Sequence, residues 1–245
     1  MQLHCLGVSG YHPSQTRQTA CFMLPEIGVV LDAGTGLHRV RSRIETPQLD
    51  IFLSHAHLDH VIGVTFLFDT LYQKETSVRV HAEQDKIDAI RQHLLSPLLF
   101  PVAPPCEFVP LTGDVPLAGG GRLSWFPLKH PGGSVGYRLD LADRSMAYVT
   151  DTTAEIGADY LEKIRGVDLL LHECYFTDGV DDFAETTGHS CVTPVAQVAQ
   201  AAGVGRLVLT HVNPLDDIAD PIGIEIAQKI FPNTILAEDE MVIEF

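Results

Sequence analysis

Short apolar runs rich in valine, isoleucine and leucine alternate along the chain with stretches whose apolar residues recur at helical spacing. The runs predict strands over Gln18–Leu24, Gly28–Asp32, Ile51–Ser54, Val78–His81, Leu123–Leu128, Val135–Leu141, Met146–Thr150, Asp168–His172 and Arg206–Thr210. The longer spacing predicts helices over Val61–Tyr72, Gln84–Leu95, Ala158–Ile164, Pro194–Ala202 and Pro221–Ile230. Alternation of the two element types over the whole length predicts an α/β fold. Two proline- and glycine-rich stretches, Ser96–Pro105 and Gly113–Gly121, read as connections rather than domain linkers.

Several of these strands stop at a histidine or an aspartate. The endings are Val30-Leu31-Asp32, Phe52-Leu53-Ser54-His55, Leu128-Lys129-His130, Tyr148-Val149-Thr150-Asp151 and Val208-Leu209-Thr210-His211. Strands packed in register would deliver these side chains to one rim, where loops on a rigid support form a site.

Composition narrows the setting. With 245 residues, 45% of them hydrophobic and 20% charged, the chain fits one domain over residues 1–245, or two closely packed halves. No uncharged apolar run is long enough to span a bilayer, and the first residues lack the basic and apolar regions of a signal peptide. Five scattered cysteines without a C-x-x-C pair read as reduced thiols, which places the protein in the cytoplasm. The formal net charge of -16 repels polyanions, so an extended nucleic acid is disfavoured while a small phosphodiester is not. Arg39, Arg41 and Arg43 form the one basic cluster and read as a solvated helix end.

The densest chemistry lies in His55-Ala56-His57-Leu58-Asp59-His60. In an irregular turn alternate residues point to different sides of a pocket, so His55 and His57 can serve one cation and Asp59 and His60 a second. Imidazole and carboxylate suit Zn, and also Mn or Fe. Four ligands do not close two coordination spheres. The strand-end residues His130, Asp151 and His211 are the candidates for the rest, with Asp151 able to bridge.

This assembly resembles the metallo-β-lactamase superfamily. The resemblance rests on Leu31-Asp32-Ala33-Gly34, on Ser54 to His60, on His130, on Val149-Thr150-Asp151-Thr152 and on Leu209-Thr210-His211, and it runs over nearly the whole chain. It implies a four-layer αββα sandwich holding two divalent metal ions. The implied ligands are His55, His57, His130 and Asp151 for the first ion, and Asp59, His60, Asp151 and His211 for the second. It also implies that Asp32 orients a ligand by hydrogen bonding, and that homodimers are common among such proteins. Two such ions lower the pKa of a shared water, and the hydroxide formed is the nucleophile. No serine or cysteine nucleophile is then needed, and Cys174 and Cys191 read as structural.

Asp151 in the bridging place, rather than cysteine, argues against secreted zinc β-lactamases, and His57, rather than glutamate, argues against flavodi-iron oxidoreductases. Leu171-His172-Glu173-Cys174, Gly188-His189-Ser190 and His130-Pro131-Gly132-Gly133-Ser134 are similar to the ribonuclease Z branch. That branch implies Glu173 charging or orienting His189, with His189 protonating the leaving oxygen. His172 reads as a buried structural residue. His4, His12, His38, His81 and His93 lack metal-site context.

No insertion is evident that would supply the arm with which ribonuclease Z enzymes hold tRNA. After His211 the chain reads Val212-Asn213-Pro214-Leu215-Asp216-Asp217, acidic where the tRNA-processing members favour an arginine. The leading expectation is therefore a phosphodiesterase with Asp59, Glu173 and His189 as catalytic residues, acting on a small or cyclic phosphodiester rather than tRNA. A lactone or thioester hydrolase and a tRNA 3′-processing endoribonuclease are the alternatives.

Overall fold

The computed structural model describes residues 1–215 and 218–245. The acidic pair Asp216–Asp217 lies outside the described residues. The chain forms two compact units, Met1–Gly113 with Glu238–Glu244, and Asp114–Ala237.

The first unit is built on β1 (Gln2–Gly7), β2 (Cys21–Leu24), β3 (Val29–Leu31), β4 (Gln48–Phe52), β5 (Ser77–Ala82), β6 (Glu107–Pro110) and β14 (Val242–Glu244). Their order is β14-β1-β2-β3-β4-β5-β6. The β14–β1, β1–β2 and β2–β3 joints are antiparallel, and those from β3 to β6 are parallel. The second unit orders β13 (Thr234–Leu236), β12 (Arg206–Thr210), β11 (Leu169–Glu173), β10 (Ser145–Val149), β9 (Ser134–Asp140), β8 (Arg122–Leu128) and β7 (Val115–Pro116) across its sheet. The joints from β13 to β10 are parallel and those from β10 to β7 antiparallel. Each unit thus has a mixed sheet of the same plan, and the α/β expectation holds.

Burial explains the parallel halves. Strands β3 and β11 are buried at every position, as near-continuous apolar runs covered on both faces must be. In the first unit Leu49, Ile51 and Leu53 pack against Val61, Val64, Leu67, Ile87 and Ile90. In the second, Val192, Val195, Ala196 and Ala199 of helix α6 (Val192–Ala202) pack against Ala147, Val149, Leu170, Leu207 and Leu209. Helix α6 stops at Gly203, whose φ of 64° a residue with a side chain rarely adopts.

The expected helix Val61–Tyr72 arrives in pieces: α1 (Leu58–Val61), a 3-10 stretch Ile62–Phe66 and α2 (Leu67–Thr70). Gly63 packs so tightly that a Cβ there would lie 2.4 Å from the Gly34 carbonyl oxygen, and Thr65 turns its hydroxyl onto the Ile62 carbonyl. The expected helix Gln84–Leu95 becomes α3 (Gln84–Ala89) followed by a π turn, Ile90–Leu94. Strands β1, β6, β7, β13 and β14, and helix α5 (Asp181–Thr187), were beyond the sequence pattern. The basic cluster sits in a 3-10 stretch, Thr35–Arg43, rather than in an α-helix. Its charges are spent inside the unit: Arg39 pairs with Asp239 and Glu240, Arg43 with Glu240, and Arg41 donates to the carbonyls of Asp69 and Tyr72.

In each unit the parallel half of the sheet positions the candidate residues. In the first unit β3 and β4 end toward Asp32 and His55. In the second, β10, β11 and β12 run in register, Val149 beside His172 and His172 beside Leu209, so the residues following them share one end. Open α/β sheets place their sites at that carboxyl end.

Candidate metal centre

The first unit contributes a network anchored on Asp32, which is fully buried and holds a left-handed φ of 58°. Its Oδ1 accepts the Ser54 backbone N–H at 2.7 Å, and its Oδ2 accepts the Ser54 hydroxyl and His60 Nδ1–H, each at 2.8 Å. The Ser54 oxygen also lies 3.0 Å from His55 Nδ1. The imidazoles of His57 and His60 flank that of His55, with centroids 4.4 and 4.3 Å away. Asp59 Oδ2 stands 3.3 Å from His60 Nε2 and accepts the Tyr11 backbone N–H at 2.8 Å. Gly34 closes the network from behind, since a Cβ there would lie 2.2 Å from the Asp59 carbonyl oxygen.

The second unit gathers His130, Asp151, Glu173, His189 and His211. His130 Nδ1 lies 2.9 Å from the Gly188 carbonyl and its Nε2 3.7 Å from Asp151 Oδ1. Asp151 Oδ2 accepts the Thr150 hydroxyl at 2.6 Å and lies 3.3 Å from His211 Nε2. Like Asp32, Asp151 and His211 hold left-handed backbone, at φ 45° and 54°. Such conformations cost about 1–3 kcal/mol each for residues with side chains and cluster where function fixes geometry. Ligand-capable atoms of Asp151, His189 and His211 all fall within 4.8 Å of one another.

Glu173 is fully withdrawn from solvent. Its Oε1 accepts the Thr152 N–H at 3.1 Å and lies 3.3 Å from His189 Nδ1, and its Oε2 accepts the Tyr175 N–H at 3.1 Å. His172 points the other way: its Nδ1 donates to the Glu173 carbonyl at 2.7 Å and its Nε2 meets the Tyr160 hydroxyl at 3.0 Å. Burial pushes the His172 pKa down, against the pull of the Glu173 carbonyl and charge. Burial likewise raises the Cys191 thiol to about 11 and Cys174 well above the ordinary range, which leaves neither as a thiolate nucleophile.

The donor set fits a divalent cation. His60 and His130 each commit Nδ1–H to an acceptor, so their Nε2 lone pairs face carboxylate oxygens. Two acceptors facing each other repel unless a proton or a cation lies between them. An imidazole tied at Nδ1 is also the usual arrangement of a metal-ligating histidine. The sequence assigned no role to the Ser54 hydroxyl, the Gly188 carbonyl, the Tyr11 N–H or Tyr175. Of these, Ser54, just before the His-rich segment, and Gly188, in Gly188-His189-Ser190, lay where the sequence carried a signal.

Comparison with known proteins bears on the whole chain. Residues 28–212 match the model of the beta-lactamase superfamily domain. Ribonuclease Z of Bradyrhizobium diazoefficiens is 28% identical over 293 aligned positions, covering 96% of each chain. Among solved structures, the metallo-beta-lactamase fold protein YhfI from Bacillus subtilis superposes with a TM-score of 0.83 at 19% identity, covering 99% of each chain. Human tRNase Z, short form, gives 0.77 at 23% identity, covering 100% of this chain and 99% of its own.

These relatives correct one expectation. Net charge disfavoured an extended nucleic acid, yet proteins alike over nearly the full length are named ribonuclease Z and tRNase Z. The physical reason is that net charge sums the whole surface, whereas an RNA meets one face of it. The fold and the His/Asp cluster point to divalent metal ions, and the family and its relatives to a metal-dependent hydrolase. By its matched domain this chain belongs to the beta-lactamase superfamily.

Proposed function

We propose that the chain is a metal-dependent phosphodiesterase, a single domain over residues 1–245 that holds two divalent ions. His55, His57, His130 and Asp151 would hold one ion, and Asp59, His60, Asp151 and His211 the other. Zn is the proposed occupant on donor chemistry, and Mn or Fe suits the same set. When bound, the ions acidify water and offset charge on the attacked phosphoryl group.

The protein's own residues supply the rest. Asp32 and Ser54 fix the first unit's imidazoles, and Asp59, steadied by the Tyr11 N–H, orients the attacking water. Glu173 keeps His189 oriented through Nδ1, and His189 delivers a proton from Nε2 to the departing oxygen. The observation that carries this reading is the Glu173–His189 pair, because a lactone or thioester hydrolase has no use for it.

An RNA phosphodiester is the proposed substrate class, on the strength of relatives named ribonuclease Z. A small or cyclic diester is a second reading beside it. The alignment with the Bradyrhizobium relative spans 293 positions against 245 residues here, so that relative carries segments this chain lacks. A cytoplasmic setting belongs to the same proposal, supported by five free cysteines, and no helix among the described residues is long and apolar enough to cross a membrane.

The test is metal-reconstituted turnover of bis(4-nitrophenyl) phosphate, a short RNA, a cyclic nucleotide, a lactone and a thioester, by wild type and His189→Ala. Diester hydrolysis that falls strongly in His189→Ala at unchanged metal content supports the reading. Lactone or thioester hydrolysis without diester hydrolysis overturns it. Loss of metal in His189→Ala would make His189 a ligand instead.

A further inference from the structure

We propose that Tyr175 is a positioning residue that sets the plane of the His189 ring for proton delivery, an inference that rests on His189 being the proton donor. The Tyr175 and His189 rings stack with centroids 4.6 Å apart and planes 19° from parallel. His189 also lies near parallel to His211, at 5.4 Å and 26°, while His130 is tilted against it at 5.2 Å and 60° and Phe176 meets it edge-on at 6.4 Å and 73°. Tyr175 and His211 are themselves only 5.8 Å apart, so the three rings form a triangular cluster rather than a sandwich.

His189 Nδ1 lies 3.3 Å from Glu173 Oε1 and 4.0 Å from Asp151 Oδ1, long contacts that both act at one atom of the ring. Contacts at Nδ1 hold that edge of the ring, and a swing about it moves Nε2 most because Nε2 lies on the opposite edge. A ring stacked on the imidazole face opposes that swing. Tyr175 is itself tied to the same carboxylate, through its backbone N–H to Glu173 Oε2. Glu173 therefore fixes His189 twice, directly at Nδ1 and indirectly through the face of Tyr175. The backbone tie survives any substitution of Tyr175 except proline, so the ring can be removed by itself.

Proton delivery matters when the departing oxygen is a poor leaving group. A 4-nitrophenolate leaves without a proton, whereas a ribose alkoxide takes one as its P–O bond breaks. The experiment compares bis(4-nitrophenyl) phosphate with the dinucleotide UpU for wild type, Tyr175→Phe, Tyr175→Leu, His189→Ala and the Tyr175→Leu/His189→Ala pair. Tyr175→Leu is expected to lose about 3- to 10-fold more in kcat on UpU than on the nitrophenyl diester, the scale of one aromatic contact. Tyr175→Phe restores the wild-type ratio, and in the His189→Ala background Tyr175→Leu costs nothing further. Equal losses on both substrates, or a further loss without His189, overturn the proposal. Should no diester be cleaved, the phosphodiesterase reading fails by itself. The orientation is then read from the His189 imidazole resonances, which stay as one sharp set in Tyr175→Phe and broaden or shift toward averaged values in Tyr175→Leu. Unchanged resonances in Tyr175→Leu overturn the proposal without reference to activity.

Discussion

His60 Nδ1 stands 2.8 Å from Asp32 Oδ2, with both side chains fully withdrawn from solvent. The same carboxylate takes both donors of Ser54, so one aspartate fixes the serine, which touches His55, and the far histidine of the segment. Asp32→Asn tests this cleanly, because asparagine tolerates the left-handed backbone while its amide no longer accepts at both atoms. The expected outcome is a drop of about 10- to 100-fold in metal affinity, read by competition with a chromophoric chelator. Unchanged affinity would remove Asp32 from the account.

Gly34→Ala forces a methyl group to within 2.2 Å of the Asp59 carbonyl oxygen and 2.4 Å of Thr19 Oγ1. The backbone carrying Asp59 and His60 must shift, so activity falls by at least 10-fold while the protein remains folded by circular dichroism. Retained activity would show that this turn accommodates the shift elsewhere.

Metal removal should cost stability as well as activity. Without a cation the acceptors on Asp59 and Asp151 confront imidazole nitrogens across 3.3 to 3.7 Å. A ligand at 100-fold its dissociation constant adds about 2.7 kcal/mol by mass action. Dialysis against a chelator is expected to lower the melting temperature, and Zn or Mn to restore it. A melting temperature indifferent to both would argue against resident ions.

The buried His172 sets a pH dependence. Its folded pKa lies below the ordinary value of about 6.5, so the unfolded chain binds the proton more readily. The stability it contributes is complete above about pH 6.5 and is lost as the pH falls toward the folded pKa. Urea midpoints of the metal-stripped protein between about pH 7.5 and 5 should fall more steeply for wild type than for His172→Gln. Parallel curves would place the pH dependence elsewhere.

The parts of this molecule that were legible in the sequence share one physical trait: a periodic pattern interrupted by an unusual residue. Apolar runs ending at Asp32, His55, Asp151 and His211 declared the strands and marked candidate ligands at their ends, because a buried parallel strand tolerates a polar residue only where it emerges. Strand β1 hid behind His4 and Gly7, and β13 and β14 are three residues each, too short for periodicity to register. The break in the helix after His60 came from packing of Gly63 on Gly34, a contact made across the fold rather than along the chain. Tyr175 was invisible for the same reason: a stacked ring leaves no mark on spacing.

Strand β14 completes the first unit's sheet by pairing Val242, Ile243 and Glu244 with His4, Leu3 and Gln2, and Asp239 and Glu240 clamp Arg39 and Arg43 beside it. On the ribosome, residues 1–113 must therefore wait for Glu238 and its followers before strand β1 finds its neighbour. At synthesis rates of about 5–20 residues per second that wait lasts roughly 6–25 s. During it the edge of β1 stays open to strangers, and the segment bearing His55 to His60 sits on an unfinished support. A nascent chain of this design stays exposed to misassembly until β14 arrives.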